Sequence, residues 1–374
     1  MILILASILF LTGYGALITY YWLSWKKIKP VTAGDSIAQT AVSVIIPARN
    51  EATNIAALLE GLLTQDYPRH LLEIIVVDDH SDDDTAAIVR NNFPEVHLLS
   101  LQQDAINSYK KKAIETGIAQ AKGRLIVCTD ADCIVPPNWL RTIEHCYRQT
   151  NAAFIVAPVV FTAGKSLVQL FQQMDFMVLQ GITGASVTQG VHAMCNGANL
   201  AYERSVFYEV NGFAGIDNIA SGDDMLLMHK IAQQYPHRIR YILSQDVIVS
   251  TAAMPDWKSF INQRIRWASK AKYYEDKKIF GVLLWVYITN CLFLLWPLLA
   301  IITGSIFYIA GGLLVWVSKT LLELPFYAAV ARFFNKQHTV KYFFFFQPLH
   351  VLYTVIAGFM GAFGKYEWKG RKVK

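Results

Sequence analysis

The sequence predicts an α/β domain built on a mostly parallel, Rossmann-like central sheet, with transmembrane α-helices at its N- and C-terminal ends. Three observations predict it. The 374 residues are 54% hydrophobic and only 17% charged, where soluble domains carry about 25% charged residues. The apolar excess is gathered into long runs without formal charge, at 2–23, 279–318 and 343–364. Between these runs, residues 41 to 255 have ordinary charge and alternate short β-branched stretches with helical patterns, as βα units do.

The first run ends in Tyr20, Tyr21, Trp22 and Trp25, followed by Lys26, Lys27 and Lys29. An aromatic belt and then a lysine cluster mark where a membrane helix meets the cytoplasmic face, and about 20 residues cross a hydrocarbon core of roughly 30 Å. No basic residue precedes the run, as one would in a cleavable signal peptide. Residues 1–30 are therefore expected to be a signal anchor, with the chain continuing into the cytosol.

In the central segment, Val42–Pro47, Glu73–Asp78 and Arg124–Thr129 read as buried strands. Residues 54–63, 85–91 and 111–121 read as the helices between them. Right-handed crossovers then give a parallel sheet whose ligands bind beyond the carboxyl ends of its strands. Polar residues follow those ends: Pro47 to Glu51, Asp78 to Asp82, and Asp130 with Asp132. Asp and Asn in such places are ordinary turn and cap residues. Three such loops on one rim, two of them Asp-rich, point instead to a cation that neutralises carboxylates, because Mg²⁺ and Mn²⁺ are held by one or two carboxylates plus phosphate oxygens. There is no Walker-type glycine loop.

Residues 256–278 mix Trp257, Phe260, Ile261 and Ile265 with Lys258, Arg264, Lys270 and Lys272, the pattern of an interfacial amphipathic helix. Within it, Gln263, Arg266 and Trp267 share a face. A second amphipathic stripe, Leu167, Leu170, Phe171, Met174, Met177 and Val178, reads equally as core. The segment 279–364 is expected to be a membrane bundle. Its first part holds two crossings, with Pro297 and Gly304 as punctuation and with Lys277, Lys278 and Lys319 at its ends. The basic tail 365–374 belongs inside by the positive-inside rule. Either 320–331 crosses too, despite Glu323 and Pro325, or 343–364 is re-entrant.

The formal net charge of +6 is a mild bias, and the basic residues border the apolar runs. That suits anionic lipid, not nucleic acid. The five cysteines (128, 133, 146, 195 and 291) form no Cys-x-x-Cys pair and are expected to be reduced thiols.

Taken together, Val44–Glu51, Val76–Asp79, Lys111–Ile114, Thr129–Asp132, Ser221–Asp224 and the Gln-Arg-Ile-Arg-Trp box at 263–267 resemble the membrane-bound family-2 glycosyltransferases. Cellulose, chitin and hyaluronan synthases and ceramide glucosyltransferase are members. The resemblance covers about 41–270 and implies a GT-A nucleotide-sugar fold and an inverting, metal-dependent hexosyltransferase. It implies a nucleotide-sugar donor, commonly a UDP-sugar, bound by Pro47, Arg49, Glu51, Asp79, Lys112 and Asp130. It places Mg²⁺ or Mn²⁺ on Asp132 with Asp130, and a general base at Asp224 with Asp223 beside it. Gln263, Arg266 and Trp267 would line the diphosphate and the entrance for a lipid or saccharide acceptor, and Gly197–Tyr202 a small-residue strand under it. Trp368 to Arg371 resembles a tail box kept in the cytosol. His80 departs from the pattern, which usually has Gly there. The competing expectations are a processive polysaccharide synthase and an inactive assembly partner. The small number of crossings leans toward single transfers.

Overall fold

The computed structural model of the protein describes residues 1–33, 37–103, 106–162, 164, 166–192, 194–219, 221–270, 277–363, 366–368 and 371–373, the last two stretches by backbone alone. The end of the expected interfacial helix (271–276) and Lys369 and Gly370 of the tail box lie outside the described residues. The chain divides into two compact units. One is helical, formed by Met1–Lys27, Ala163–Ile182 and Ala253–Lys374; the other comprises Ile28–Thr162 and Thr183–Ala252. The expected central segment is thus interrupted, because residues 163–182 cluster with the helices.

Helix α1 (Ile2–Lys26) opens the chain. The sheet unit then runs β1 (Val42–Ala48), α2 (Ile55–Leu63), β2 (Leu72–Asp78), α3 (Thr85–Asn92), β3 (His97–Ser100), α4 (Tyr109–Gln120), β4 (Leu125–Cys128), α5 (Trp139–Thr150), β5 (Phe154–Val156) and β6 (Val159–Phe161). Helix α6 (Leu167–Thr188) starts in the helical unit and ends in the sheet unit. After it come β7 (Leu200–Glu203), α7 (Arg204–Glu209), α8 (Met225–Gln234), β8 (Ile239–Tyr241) and β9 (Val249–Thr251). The helical unit resumes with α9 (Trp257–Ala268), α10 (Lys277–Thr303), α11 (Ile306–Phe333) and α12 (Phe343–Phe363), and closes on the hairpin β10 (Tyr366–Trp368) and β11 (Arg371–Val373).

Seven strands form the main sheet in the order β3-β2-β1-β4-β7-β5-β8. Strands β1, β2, β3 and β4 pair in parallel, and β7 runs antiparallel to both neighbours. Consecutive residues of the β-branched runs are buried, so both faces of these strands are covered. Val44, Ile45, Ile46, Val76 and Val77 have essentially no exposure. The register sets Ala48 opposite Asp78 and Ile45 opposite Cys128, so the loops that follow β1, β2 and β4 leave one edge side by side.

In the helical unit, α1, α10, α11 and the helix ending at Phe363 are long and apolar enough to cross a membrane by length and composition. The break between α10 and α11 falls at Gly304, in a left-handed conformation with φ 63°, whereas Pro297 lies inside α10. Helix α11 then continues unbroken through Lys319, Glu323 and Pro325. Residues 320–331 are therefore the end of the second helix, and Lys319 is not a flanking residue. It is buried, bonded to Glu323 Oε1 at 2.6 Å and to Gln347 Oε1 at 2.5 Å. Gln347 donates to Glu323 Oε2 at 2.5 Å, and Tyr14 of α1 donates its hydroxyl to Oε1. An ion pair with hydrogen-bonding neighbours is what allows charge inside an apolar bundle.

Candidate active site

The loop after β1 is laced to the loop after β2. Arg49 Nη1 donates to the carbonyls of Asp79 and His80 at 2.8 and 2.9 Å, and its Nη2 lies 3.7 Å from Asp82. Asn50 Oδ1 accepts from Asp82 N at 2.8 Å, and Glu51 N donates to Thr85 Oγ1 at 2.8 Å. The Glu51 carboxylate accepts from Asn54. Pro47 sits within β1 opposite Val77. His80 adopts φ 52°, so the glycine-like bend survives without glycine, at a cost of about 1–2 kcal/mol. Its Nδ1 lies 3.0 Å from Asp79 Oδ1. Asp79 is buried among these partners. The neighbouring Asp78 is also buried, and its Oδ1 has no hydrogen-bond partner. A buried acceptor left open calls for a donor from outside the chain.

The three consecutive lysines at the start of α4 have three fates. Lys110 reaches the acids, with Nζ 2.6 Å from Asp130 Oδ1 and 3.1 Å from Asp223 Oδ2. Lys111 is buried and donates to the carbonyls of Ile216, Ile219 and Ser221 at 2.7, 2.6 and 2.9 Å, tying down the segment that leads to Asp223. Lys112, the lysine expected near the nucleotide, is on the surface and pairs with Glu115 at 2.8 Å. Burial disfavours the Lys110 charge, but Asp130 and Asp223 more than offset this and hold its pKa well above the ordinary lysine value.

Asp224 caps α8: its Oδ1 accepts from Met225 N at 2.7 Å and its Oδ2 from Gly197 N at 3.1 Å. This is the bonding of a helix-start acid. Gly222 takes φ 83°, the bend that turns the chain into Asp223 and Asp224. Gly197 makes room for the cluster, since a Cβ there would stand 2.9 Å from Asp223 Oδ2 and 3.0 Å from Lys110 Nζ.

Asp130 and Asp132 flank the turn after β4. Asp132 Oδ2 accepts from Thr251 Oγ1 at 3.1 Å. Among the described residues, no three His, Cys, Asp or Glu side chains converge as a ready-made metal cage. Two hard carboxylates in one turn suit a Mg²⁺ or Mn²⁺ ion whose remaining ligands are phosphate oxygens and water. Burial pushes the Cys128 thiol up to about 12, and burial with Asp130 and Asp132 holds the Cys133 thiol well above its ordinary value too. Both remain inert thiols, and none of the five cysteines is in a disulfide. Asp130 and Asp223, nearly a hundred residues apart in sequence, thus share one cation at the carboxyl edge of the sheet.

A protein-family model described as glycosyl transferase family 2 matches residues 43–210. This segment is a glycosyl transferase family 2 domain. Among curated proteins, the probable glycosyltransferase YdaM of Bacillus subtilis is 28% identical over 242 residues, 62% of this chain and 55% of that protein. Glycosyltransferase AglE of Haloferax volcanii is 33% identical over 124 residues, 32% of this chain and 40% of that protein. The beta-monoglucosyldiacylglycerol synthase of Synechocystis is 30% identical over 123 residues, 32% of this chain and 26% of that protein. The chain thus spans about half or less of the length of these relatives. Mannosyltransferase PcManGT of Pyrobaculum calidifontis, solved with GDP-Man and Mn²⁺, superposes with a TM-score of 0.60 at 20% identity over 95% of this chain and 98% of that one. That likeness is one of fold, and the fold of the family-2 domain is GT-A.

The remaining expected site residues belong to the helical unit. Gln263, Arg266 and Trp267 lie on α9, and all three are half-buried. Sequence reasoning missed Lys110 and the open acceptor on Asp78. The Lys-Lys-Lys run signalled the first but did not say which lysine faces the strands.

Proposed function

We propose that the protein is an inverting glycosyltransferase that moves a sugar from a nucleoside-diphosphate sugar to a lipid or saccharide acceptor at the cytoplasmic face of the cell membrane. The observation that carries this reading is the Lys110 ammonium shared by Asp130 and Asp223, beside Asp224, in a family-2 domain. Charge on the departing diphosphate needs fixed cations, and Lys110 is one. Asp130 and Asp132 would hold Mg²⁺ or Mn²⁺, which supplies Lewis-acid masking of the diphosphate when bound. The buried Asp78 and Asp79 would receive the base, with Pro47, Arg49 and Glu51 shaping that loop.

Asp224 would take the proton of the attacking hydroxyl, and Asp223 would hold Lys110 in place. In-line attack inverts the anomeric centre, so no enzyme nucleophile is needed, which agrees with the inert thiols. Gln263, Arg266 and Trp267 would serve the diphosphate and the acceptor, Arg266 through a guanidinium fork. A lipid acceptor is favoured by relatives named as a beta-monoglucosyldiacylglycerol synthase and as an undecaprenyl-phosphate 4-deoxy-4-formamido-L-arabinose transferase, and by the four apolar helices among the described residues.

The experiment is a screen of labelled UDP- and GDP-sugars with membranes holding the protein, followed by mass analysis of the product. One added sugar on a lipid, lost with chelator, supports the reading. A ladder of products would replace it with a processive polysaccharide synthase. No turnover of any donor would leave an inactive assembly partner.

A further inference from the structure

The Gln-Arg-Ile-Arg-Trp box contains two arginines, and they differ in kind. Arg266 is half-buried. Arg264 is sealed in the helical unit and bound to Asp175 of α6, with side-chain exposures of 4% and 2%. Its Nε and Nη2 both donate to Asp175 Oδ2, at 3.2 and 2.8 Å. The other carboxylate oxygen accepts from Tyr353 at 2.5 Å, and His350 Nε2 lies 3.9 Å from it. What remains of the guanidinium is spent on the box itself. Nη1 donates to Gln263 Oε1 at 2.9 Å. The planar group lies 4.2 Å from the ring centre of Trp267 and 4.7 Å from that of Phe260. Phe176, next to Asp175, meets Trp267 at 5.8 Å between ring centres.

We propose that Arg264, locked by Asp175, is the positioning residue of this box: it fixes Gln263 by a hydrogen bond and Trp267 by stacking, and so sets the orientation in which the box acts. The inference rests on the reading above that Gln263, Arg266 and Trp267 serve the transfer reaction. A buried ion pair is a poor choice for glue alone, since apolar residues of similar volume replace such pairs with little loss of stability. A flat fork that bonds a carboxylate on one edge and an amide on the other, while stacking on indole, is a good choice for holding two side chains in one geometry. Lysine cannot do this, because it is a point charge without a plane.

The test compares Arg264→Lys, the apolar double variant Arg264→Met with Asp175→Leu, and Arg266→Ala as a control on the box. Each is purified in detergent and assayed for transfer, with thermal unfolding followed in parallel. We expect Arg264→Lys and the double variant to unfold within a few degrees of the parent. Their kcat should fall about a hundredfold, the scale of an ångström of misplacement, with the donor KM changed less than threefold. Arg266→Ala should be inactive. If Arg266→Ala is inactive but Arg264→Lys and the double variant keep the parental kcat, the positioning role is overturned and the proposed function stands. Full activity in Arg266→Ala would overturn the role of the box, and the inference with it.

Discussion

The Lys110 ammonium stands 2.6 Å from Asp130 Oδ1, and its second partner is Asp223 at 3.1 Å. One side chain therefore joins the acids after β4 to the acids before α8. Lys110→Met should lower kcat/KM for transfer by on the order of 10²–10³, the usual cost of removing one donor to a developing anion. The pH profile carries the sign of the raised pKa. Lys110 keeps its charge below its folded pKa, which lies above the ordinary value of about 10.4. Activity should show no alkaline limb from this group up to about pH 10, and a limb near 8 assigned to Lys110 by its loss in Lys110→Arg would contradict the arrangement.

Asp224 both caps α8 and is the proposed base, and one substitution separates the two. Asn caps a helix about as well as Asp but does not take a proton. Asp224→Asn keeps one acceptor, for Met225 N or for Gly197 N but not for both, so it should cost about 1 kcal/mol for the lost bond and lose about 10²–10⁴ in kcat, the range of general-base catalysis. Asp224→Ala should lose the cap as well, at about 1 kcal/mol. Parental turnover in the Asn variant would move the base elsewhere.

His80 holds a bend that glycine usually makes. His80→Gly should relieve about 1–2 kcal/mol of left-handed strain and cost about 0.5–1 kcal/mol in unfolded-chain freedom. Urea unfolding should show equal or slightly higher stability, with transfer retained. His80→Val should be destabilised, because a β-branched residue tolerates positive φ poorly.

Glu323 and Lys319 neutralise each other within the helical unit. Glu323→Leu leaves a buried ammonium and should cost about 3–5 kcal/mol, whereas Lys319→Met with Glu323→Leu should recover most of it. Thermal unfolding in one detergent, compared across the two variants, measures this directly. A double variant no more stable than the single one would mean that Gln347 and Tyr14 depend on the charges.

Much of the sheet was legible because β-branched runs ending in Pro47, Asp78 and Thr129 admit few alternatives to buried parallel strands. The loops that carry Asp79 and Asp130 were legible for the same reason, since strand ends fix where the next residues emerge, whereas Asp223 and Asp224 follow no strand and were reached only through the family resemblance. Lys110 was not legible. Successive helix residues point about 100° apart, so three lysines in a row offer three directions, and only the docking of α4 on the sheet chooses among them. The three-residue strands β5 and β6 carry too little periodicity to read, and a strand overlapping β7 was expected only from the family resemblance, without its antiparallel direction. Helix α11 escaped because Glu323 and Pro325 argue locally for a break, while Lys319 one turn earlier on the same helix, with Gln347 and Tyr14 from other helices, removes the cost of the charge. The box at 263–267 was legible as a face of a helix, but the division of labour between Arg264 and Arg266 needed Asp175.

The central claim is that the acids joined by Lys110 form a metal-assisted sugar-transfer site. It is tested most directly by measuring transfer from the donor found in the screen, with and without chelator, in the parent protein and in Asp132→Ala. The account predicts transfer that stops with chelator, returns with Mg²⁺ or Mn²⁺, and is absent in Asp132→Ala at every metal concentration. Equal transfer in all of these samples would contradict it.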